Sequence, residues 1–361
     1  MVNQAQLNEW LERLDNIEKV TQRIPINSKE ISIETEDTSE DLFAVINGVK
    51  RRISETAYTS ICNKMGICGD GLFALPVKML RDIILERFSS IEENLKVIII
   101  DGEIRAMLAK TYGVQPTNQV MADFADIIAK KYPDAVFTGA WGDGDYRSFE
   151  MRFSFPENKC TLGNIYNKPE WTPGILIRSS DIGFSSVSVY PVWYIGNSDY
   201  IEFGSKEEST KKVHRGLEKW GYADAEKALD KCFVLAQKKL DVIQKWANTP
   251  LQNFEVIIDE IYNNYNNWGK KDSFAVQDVW EEYSDNLFEE SVEGGFDFEL
   301  THYDVLAVLM QYAALYNKAD VKFQIRYNKL SHIIASIISK DQLGEFDADI
   351  PTTKKNTKKS A

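Results

Sequence analysis

The dipeptide Asp101-Gly102 restricts the fold of this chain more than any other local feature of the sequence. It stands between an apolar run, residues 95–100, and a strand-like run, residues 103–109. Asp-Gly favours a type I′ turn, because both positions adopt positive φ there, and this turn joins two strands directly. We therefore expect a β-hairpin that pairs Ile100 with Glu103 and Ile98 with Arg105.

A second hairpin is expected over residues 135–155, where the stretch Gly142-Asp-Gly-Asp-Tyr146 links two strand-like runs. In its second arm, apolar residues alternate strictly with polar ones. Such alternation is typical of a strand with one buried and one solvent-facing side, so Ser148, Glu150, Arg152 and Ser154 should lie on the solvent-facing side. Residues 174–197 continue the pattern with two β-rich runs around a polar turn. Together the three pairs of strands predict an antiparallel sheet.

Amphipathic helices are expected wherever apolar residues recur every three or four positions. The expected helices cover residues 7–17, 41–49, 56–65, 76–88, 120–131, 229–243, 254–265, 301–316 and 323–339. Thr301 and Asp304 have the spacing of a capping box at the start of one of them. Residues 28–41 are interpreted as a linker or an edge strand.

These patterns predict an α+β fold: an antiparallel β-sheet of hairpins flanked by helices, followed by an all-helical C-terminal region. The 361 residues are 43% hydrophobic, which allows a sizeable core. We expect four parts. They are an N-terminal helical and linker region (1–50), an α+β core domain (51–204), a helical region (205–342) and a disordered, lysine-containing tail (343–361).

The net charge of −13 is distributed unevenly along the chain. Residues 51–204 carry 16 Lys/Arg against 19 Asp/Glu, whereas residues 205–349 carry 17 against 26. This balance argues against a uniformly basic nucleic-acid binder but permits a local basic face. It also makes the acidic helical half a candidate interface for a protein partner.

No catalytic signature stands out, and we expect no enzymatic activity, metal or cofactor. The chain has no Gly-x-x-x-x-Gly-Lys-Ser/Thr loop, and Gly183-Phe-Ser185 lacks the second glycine of a nucleophile elbow. Asp143 and Asp145 are interpreted as turn residues. The histidines, His214, His302 and His332, are interpreted as helix-cap or surface residues because none has a partner at metal-ligand spacing.

Composition also predicts where the protein resides. The four cysteines form no Cys-x-x-Cys pair, which favours reduced thiols in a cytoplasm. The first residues lack the pattern of a signal peptide, and no run approaches the ~18 apolar residues of a membrane-spanning helix. We therefore expect a cytoplasmic protein without membrane association, and sheet edges leave homo-oligomerisation open.

Arginines and aromatic residues in the β region form one candidate site. Arg105, Arg147, Arg152 and Arg178 would contact phosphates, and Tyr112 would stack on a base or buttress the groove, as in grooves that bind single-stranded nucleic acid. The alternative is that these arginines pair with carboxylates on a sheet surface. In that case the groove would lack the positive charge that it needs.

Three runs of the sequence resemble one family in the same order along residues 51–340. They are Asp101-Gly-Glu-Ile-Arg-Ala-Met-Leu-Ala-Lys-Thr-Tyr112, Ser180-Asp-Ile-Gly-Phe-Ser-Ser-Val-Ser-Val189 and Thr301-His-Tyr-Asp-Val-Leu-Ala-Val-Leu-Met-Gln-Tyr-Ala313. The chain thereby resembles the domain-of-unknown-function 932 family, phage/plasmid-like proteins of phages, prophages and plasmids. The resemblance implies an accessory protein of a mobile element and no particular activity.

The chain departs from the family pattern at two places. The family often has Asn where this chain has Ser179, and it often has a Cys-x-Asn-Gly segment where this chain has Ile195-Gly-Asn-Ser198. No role for such a cysteine is therefore carried over. Ser180, Asp181 and Gly183 are interpreted as a structural turn, in which Asp181 accepts backbone hydrogen bonds and Gly183 supplies backbone freedom.

Two functions remain open from the sequence. The first is a non-enzymatic, phage- or prophage-encoded protein that binds single-stranded DNA and acts in recombination, with the Ser180–Gly183 turn shaping the groove. The second is a protein-binding factor for host takeover, anti-defence or assembly, with the acidic helical half as its interface. The first function requires that the four arginines be accessible to phosphate, and it fails if they are buried in ion pairs.

Overall fold

The computed structural model describes the chain except for residues 1–3, 37–40, 66–74, 91, 114, 143, 162–169, 185, 196–198, 203–209, 213–221, 296, 317–320 and 348–361. The chain divides into two compact units. Unit 1 contains Met1–Glu157, Gly174–Tyr190 and Ser209–Phe233, and unit 2 contains Asn158–Pro173, Pro191–Glu208 and Val234–Ala361. The units are discontinuous in sequence and do not follow the expected boundaries at residues 50/51 and 204/205.

The α+β class is confirmed, because antiparallel sheets are flanked by helices and a helical region follows them. The first part of the chain forms α1 (Gln4–Lys19), β1 (Thr21–Asn27), β2 (Ser32–Thr35), β3 (Leu42–Ile46), β4 (Val49–Arg52), α2 (Glu55–Met65) and α3 (Val77–Ser90). It continues with β5 (Asn94–Ile100), β6 (Glu103–Ala109), α4 (Thr117–Lys131), β7 (Val136–Gly142) and β8 (Phe149–Ser154).

The rest of the chain completes the sheet and adds the helical region. Its strands are β9 (Cys160–Thr161), β10 (Glu170–Ser179), β11 (Val187–Ile195), β12 (Asp199–Glu202) and β13 (Thr210–Lys212). Its helices are α5 (Tyr222–Trp246), α6 (Phe254–Asn264), α7 (Lys270–Gly294), α8 (His302–Ala314), α9 (Val321–Lys340) and α10 (Leu343–Phe346). Strands β10 and β11 and helix α5 contain residues of both units.

The hairpin around Asp101-Gly102 is confirmed. Both residues have positive φ, 53° and 79°, as the type I′ turn requires, and Ile100 pairs with Glu103. The expected pairing of Ile98 with Arg105 is wrong, because the register shifts between Ile98 and Ile99 and Ile98 pairs with Ala106. Such a bulge places an extra residue on one strand, and turn chemistry alone does not predict it.

The helix expected over residues 41–49 is wrong. These residues form strand β3 and the start of β4, joined at Asn47-Gly48 with φ of 52° and 77°. Asn-Gly is itself a type I′ signature, and Leu42, Ala44 and Ile46 alternate into the core. Sheets β1-β5-β6 and β2-β3-β4 share this core with α2 and α3.

The largest sheet has the strand order β12-β11-β10-β8-β7, with β13 pairing β11 and β9 pairing β10. Strand β8 lies between two neighbours, and Phe149, Met151 and Phe153 pack into the core of unit 1. The expectation that its polar side faces solvent is wrong for Glu150 and Ser154, which are buried as well. A strand in the interior of a sheet can be covered on both faces, and alternation reports only one of them.

Unit 2 has its own core, in which Trp171 and Trp193 pack with residues of helices α5 to α10. The helices expected at 254–265, 301–316 and 323–339 are confirmed as α6, α8 and α9, and the capping box of Thr301 and Asp304 is present. Helix α7 was not among the expected helices. Val276, Trp280, Tyr283 and Leu287 nevertheless recur every three or four positions, which is the pattern of an amphipathic helix.

The disordered tail predicted for residues 343–361 is wrong at its beginning. Leu343–Phe346 forms α10, and Leu343, Phe346 and Asp347 are buried. The remainder, residues 348–361, lies outside the described residues. None of the described helices is both long enough and apolar enough to span a membrane.

Candidate functional site

The two arginines nearest the hairpin ends, Arg105 and Arg147, are engaged by carboxylates. The Nη2 atom of Arg105 lies 2.9 Å from Glu103 Oε2, and its Nη1 lies 3.9 Å from Asp145 Oδ1. Its guanidinium also stacks over the ring of Tyr146, 5.0 Å from the centroid. Arg147 Nη2 lies 3.4 Å from the other oxygen of Asp145. Asp145 thus acts as the turn residue expected of it and also as a counter-charge.

The other two arginines, Arg152 and Arg178, share the buried carboxylate of Glu150. Arg178 donates to Glu150 Oε1 from Nε at 2.8 Å and from Nη2 at 2.7 Å. Arg152 Nη2 lies 3.4 Å from Oε2. Burial by itself would raise the pKa of Glu150, but the two arginines outweigh it and lower that pKa below its usual value. Glu150 is therefore ionised inside the sheet.

The four arginine side chains are only 14% to 21% exposed, and each lies within an ion pair. The structure therefore brings Arg152 and Arg178 together around the carboxylate of Glu150. It pairs Arg105 and Arg147 with the carboxylates of Glu103 and Asp145. These contacts match the alternative interpretation, in which the arginines neutralise carboxylates on the sheet. They count against these side chains as free phosphate contacts.

The turn after β10 has the structural role expected for it. The Oδ1 atom of Asp181 accepts hydrogen bonds from the backbone N–H of Thr117 at 2.8 Å and from its hydroxyl at 2.9 Å. Ser180 Oγ accepts the N–H of Phe184 at 3.2 Å, and Gly183 has a φ of 78°. Thr117 is the first residue of α4, so Asp181 joins the turn to the positive end of that helix's dipole.

Asp181 is fully buried beside a second charged pair. Arg23 forms a bidentate pair with Glu18, at 2.6 and 2.8 Å, and its Nη2 lies 3.7 Å from Asp181 Oδ2. Burial raises the pKa of Asp181 to about 6, although Arg23 and Thr117 oppose the shift. Burial and the nearby Asp181 also raise the pKa of Tyr112. Tyr112 itself is half-buried, and its side chain lies beside Gly183 of the turn.

The histidines give no metal site in the described part of the chain, where no group of three His, Cys, Asp or Glu side chains converges. His302 is the first residue of α8, but it is buried, so a surface position is wrong for it. Its Nε2 lies 2.8 Å from Asp347, which also accepts the N–H groups of Gln252 and Asn253. His214 lies outside the described residues. His332 is half-buried.

Helix α7 of unit 2 presents large exposed apolar side chains that the sequence analysis did not identify. The N-terminal half of α7 is well anchored: Asp272 accepts hydrogen bonds from Gly269 N–H, Tyr312 Oη and Arg326. Burial would raise the pKa of Asp272, but these hydrogen bonds lower it. Farther along, Trp280 stacks on Phe254 with ring centroids 4.0 Å apart, and Tyr283 donates to Asp304.

The opposite face of α7 is uncovered. Of its 25 residues, Asp272, Val276 and Ser291 are the buried ones. The large apolar side chains of Phe274, Phe288 and Val292 are 62%, 60% and 65% exposed. Because 14 and 18 residues correspond to about four and five helical turns, these three side chains project from the same side of the helix.

Carboxylates fill the space between and beside these apolar side chains. The exposed acidic residues of α7 are Asp278, Glu281, Glu282, Asp285, Glu289, Glu290 and Glu293. In the part of the chain that the structure describes, none of them forms an ion pair with a Lys, Arg or His. We define the α7 surface as Phe274, Asp278, Glu281, Asp285, Phe288 and Val292. The acidic excess of residues 205–349 was the only signal in the sequence that pointed toward it.

No family model, curated protein or solved structure matches this chain.

Proposed function

We propose that this protein is a non-enzymatic, protein-binding accessory factor and that the α7 surface is its interface. The observation that carries the proposal is the combination, on one helix face, of three large, exposed apolar side chains with carboxylates that form no ion pair within the described part of the chain. Helices in globular proteins obtain most of their stability by packing an apolar face, and the three large apolar side chains of this face remain 60% or more exposed. An exposed apolar patch with a polar rim is typical of an interaction site.

The contrast with unit 1 supports the assignment. There the arginines and acids of the sheet neutralise one another, as Arg178 and Glu150 do at 2.7 Å. The acids of α7 have no such partners among the described residues, so their charge remains available to another molecule. Unit 2 thus combines apolar area and uncompensated charge on one surface.

A quantitative capture experiment tests this proposal. The full-length protein and the double variant Phe288→Ala/Val292→Ala are immobilised, and the proteins captured from a bacterial lysate are compared by mass spectrometry. We expect at least one protein to be captured by the wild type and lost with the double variant. Met79→Ala, which removes an exposed apolar side chain from α3 of unit 1, is the matched control and should retain it.

The double variant should fold normally, because exposed side chains contribute little to the free energy of unfolding. Alanine also has a high helix propensity, so α7 itself is preserved. Identical capture profiles for the wild type and the double variant would show that the α7 surface is not the interface.

Single-stranded nucleic-acid binding through Arg105, Arg147, Arg152, Arg178 and Tyr112 stays an untested prediction. The observation that bears on it is that the structure brings Arg152 and Arg178 together at Glu150. A gel-shift titration with short oligonucleotides at two salt concentrations tests it. Salt-sensitive binding that disappears in the double variant Arg105→Ala/Arg152→Ala would support it, and no binding at low salt would exclude it.

The resemblance to the domain-of-unknown-function 932 family, and the phage or prophage origin that it implies, likewise remain predictions. So do the cytoplasmic location, the absence of an enzymatic activity and the formation of homo-oligomers. If the origin is correct, the partner of the α7 surface belongs to the host or to the phage itself.

A further inference from the structure

We infer that the α7 surface binds a basic amphipathic helix of a partner protein, with Lys or Arg opposite the centre of α7 and apolar side chains at either end. The inference rests on the proposed function and specifies the chemistry of the partner. Three features of unit 2 support it: the spacing of the exposed apolar residues, an adjoining cleft and the distribution of charge along α7.

The spacing of the apolar residues matches a helix as the partner. Phe274 and Phe288 are 14 residues apart, which corresponds to about 21 Å along the axis at 1.5 Å per residue. Val292 follows Phe288 by one turn. A partner helix of about four turns that lies alongside α7 can contact both ends with residues on one of its faces, as in helix-in-groove recognition.

A cleft next to α7 provides a place for an apolar anchor of that partner. It has a volume of about 460 Å³, and Leu251, Phe254, Trp280 and Leu300 supply its apolar part. Gln277 and Trp280 belong to α7 and lie between Phe274 and Phe288 in its sequence. Large apolar anchors in such clefts usually dominate the binding energy of an interface. The cleft therefore borders α7 on the side of Gln277 and Trp280, at a height along the helix between the two exposed Phe side chains.

The charge of α7 determines the sign of the partner. Lys270 and Lys271 begin the helix, and every charged residue after them is acidic, from Asp272 to Glu293. The negative end of the helix dipole adds to this at the C-terminus. A basic partner helix is attracted to the centre and the C-terminal end, whereas the two lysines repel it at the N-terminal end. The gradient favours one orientation of the partner.

The same charges disfavour other occupants of the surface. Two copies of this chain that met through the α7 surface would bring carboxylates such as Glu281 and Asp285 against one another, which costs free energy. Nucleic acid is excluded for the same reason, because its phosphates are negative. A basic helix satisfies the apolar and the acidic residues at once.

A designed peptide serves as the probe. It has about 18 residues, with Leu on one helical face and Lys on the others, and its binding to the full-length protein is measured by fluorescence anisotropy. A second peptide has the same composition in a scrambled order without an apolar face. We expect the amphipathic peptide to bind roughly tenfold more tightly than the scrambled one, which reflects about 1.4 kcal/mol from the apolar contacts.

Charge and apolar variants separate the two contributions. Asp278→Asn/Glu281→Gln/Asp285→Asn should weaken binding roughly tenfold and should reduce its dependence on salt between about 50 and 300 mM. The control Asp82→Asn/Glu86→Gln/Asp126→Asn removes three exposed carboxylates from unit 1 and should leave the affinity unchanged. Phe288→Ala/Val292→Ala should weaken binding of the amphipathic peptide and should leave binding of the scrambled peptide unchanged.

Several outcomes would overturn the inference. Equal binding of both peptides would mean that charge alone acts, and affinity unaffected by the α7 variants would place the peptide elsewhere. Self-association that depends on Phe288 would identify a second copy as the occupant. A roughly tenfold gain in affinity when Lys354, Lys355, Lys358 and Lys359 are changed to Gln would identify the chain's own C-terminal segment, which lies outside the described residues.

The result is distinguishable from a failure of the proposed function. If the peptide does not bind but capture from lysate still depends on Phe288 and Val292, only the chemistry of the partner is wrong. If neither depends on these residues, the α7 surface is not an interface, and the proposed function fails with it.

Discussion

The carboxylate of Asp181 is buried in the turn after β10, and its ionisation is therefore costly. Its pKa is about 6 in the folded protein and 3.8 when unperturbed. Because the folded state holds the proton more tightly, this group stabilises the fold fully below pH 3.8. That contribution is lost as the pH rises through about 6. A shift of about two pKa units corresponds to about 3 kcal/mol.

Asp181→Asn removes this titrating group, so the difference in free energy of unfolding between the wild type and the variant should depend on pH. The free energy of unfolding of the wild type, minus that of Asp181→Asn, should fall by about 2 kcal/mol between pH 4 and pH 6 and should level off above about pH 7. Urea denaturation at several pH values measures it. Asp126→Asn, which changes an exposed carboxylate of unit 1, is the control. A difference that is constant or rises with pH would contradict the burial argument.

Gly183 provides a second prediction for a single residue. Its φ is 78°, and an added Cβ would lie 3.0 Å from Leu108 Cδ2 and 3.1 Å from Tyr112 Oη. Gly102 has nearly the same φ, 79°, but an added Cβ there has nothing within 4 Å. Gly102→Ala should therefore cost about 1 kcal/mol for the backbone alone. Gly183→Ala should cost roughly 1 to 3 kcal/mol more, because the neighbours must move. If thermal unfolding shows the same loss of stability for Gly102→Ala and Gly183→Ala, the steric contribution at Gly183 is refuted.

At the scale of a secondary-structure element, strand β8 depends on the charge of Glu150. Glu150→Gln would leave Arg152 and Arg178 without their shared counter-charge in a buried position. We expect a loss of roughly 2 to 4 kcal/mol in the free energy of unfolding, because breaking a buried pair leaves an uncompensated charge. Glu157→Gln, at an exposed position after β8, should change it by less than about 0.5 kcal/mol. A comparable effect of the two substitutions would mean that the buried pair contributes little.

At the scale of the whole molecule, burial predicts a wide range of local stabilities. Strand β8 lies between β10 and β7 and is buried on both faces, whereas the C-terminal half of α7 has Ser291 as its buried residue. Hydrogen exchange followed by mass spectrometry should therefore show the slowest exchange in β8 and much faster exchange in residues 284–294. Binding of a partner to the α7 surface should slow the second region. Similar rates in both regions for the free protein would contradict the expected range.

The local sequence determined those features that depend only on interactions between residues close to one another in the chain. The hairpin at Asp101-Gly102, the capping box of Thr301 and Asp304 and the positive φ of Gly183 each depend on a few neighbouring residues, and all are present. The hairpin at Asn47-Gly48 likewise depends on its two turn residues, which both have positive φ. The α+β class follows from the same signals, because periodicity reflects how each segment is buried.

Tertiary structure alone decided everything that depends on residues distant in the sequence. Glu150 pairs with Arg178, 28 positions away, and Asp181 accepts from Thr117, 64 positions away, so neither the neutralised arginines nor the buried turn could be predicted from spacing. The same holds for α7. Its sequence showed acidic residues, but only packing reveals that Phe274, Phe288 and Val292 remain exposed. Burial is a property of what surrounds a side chain, and the surroundings come from the whole fold.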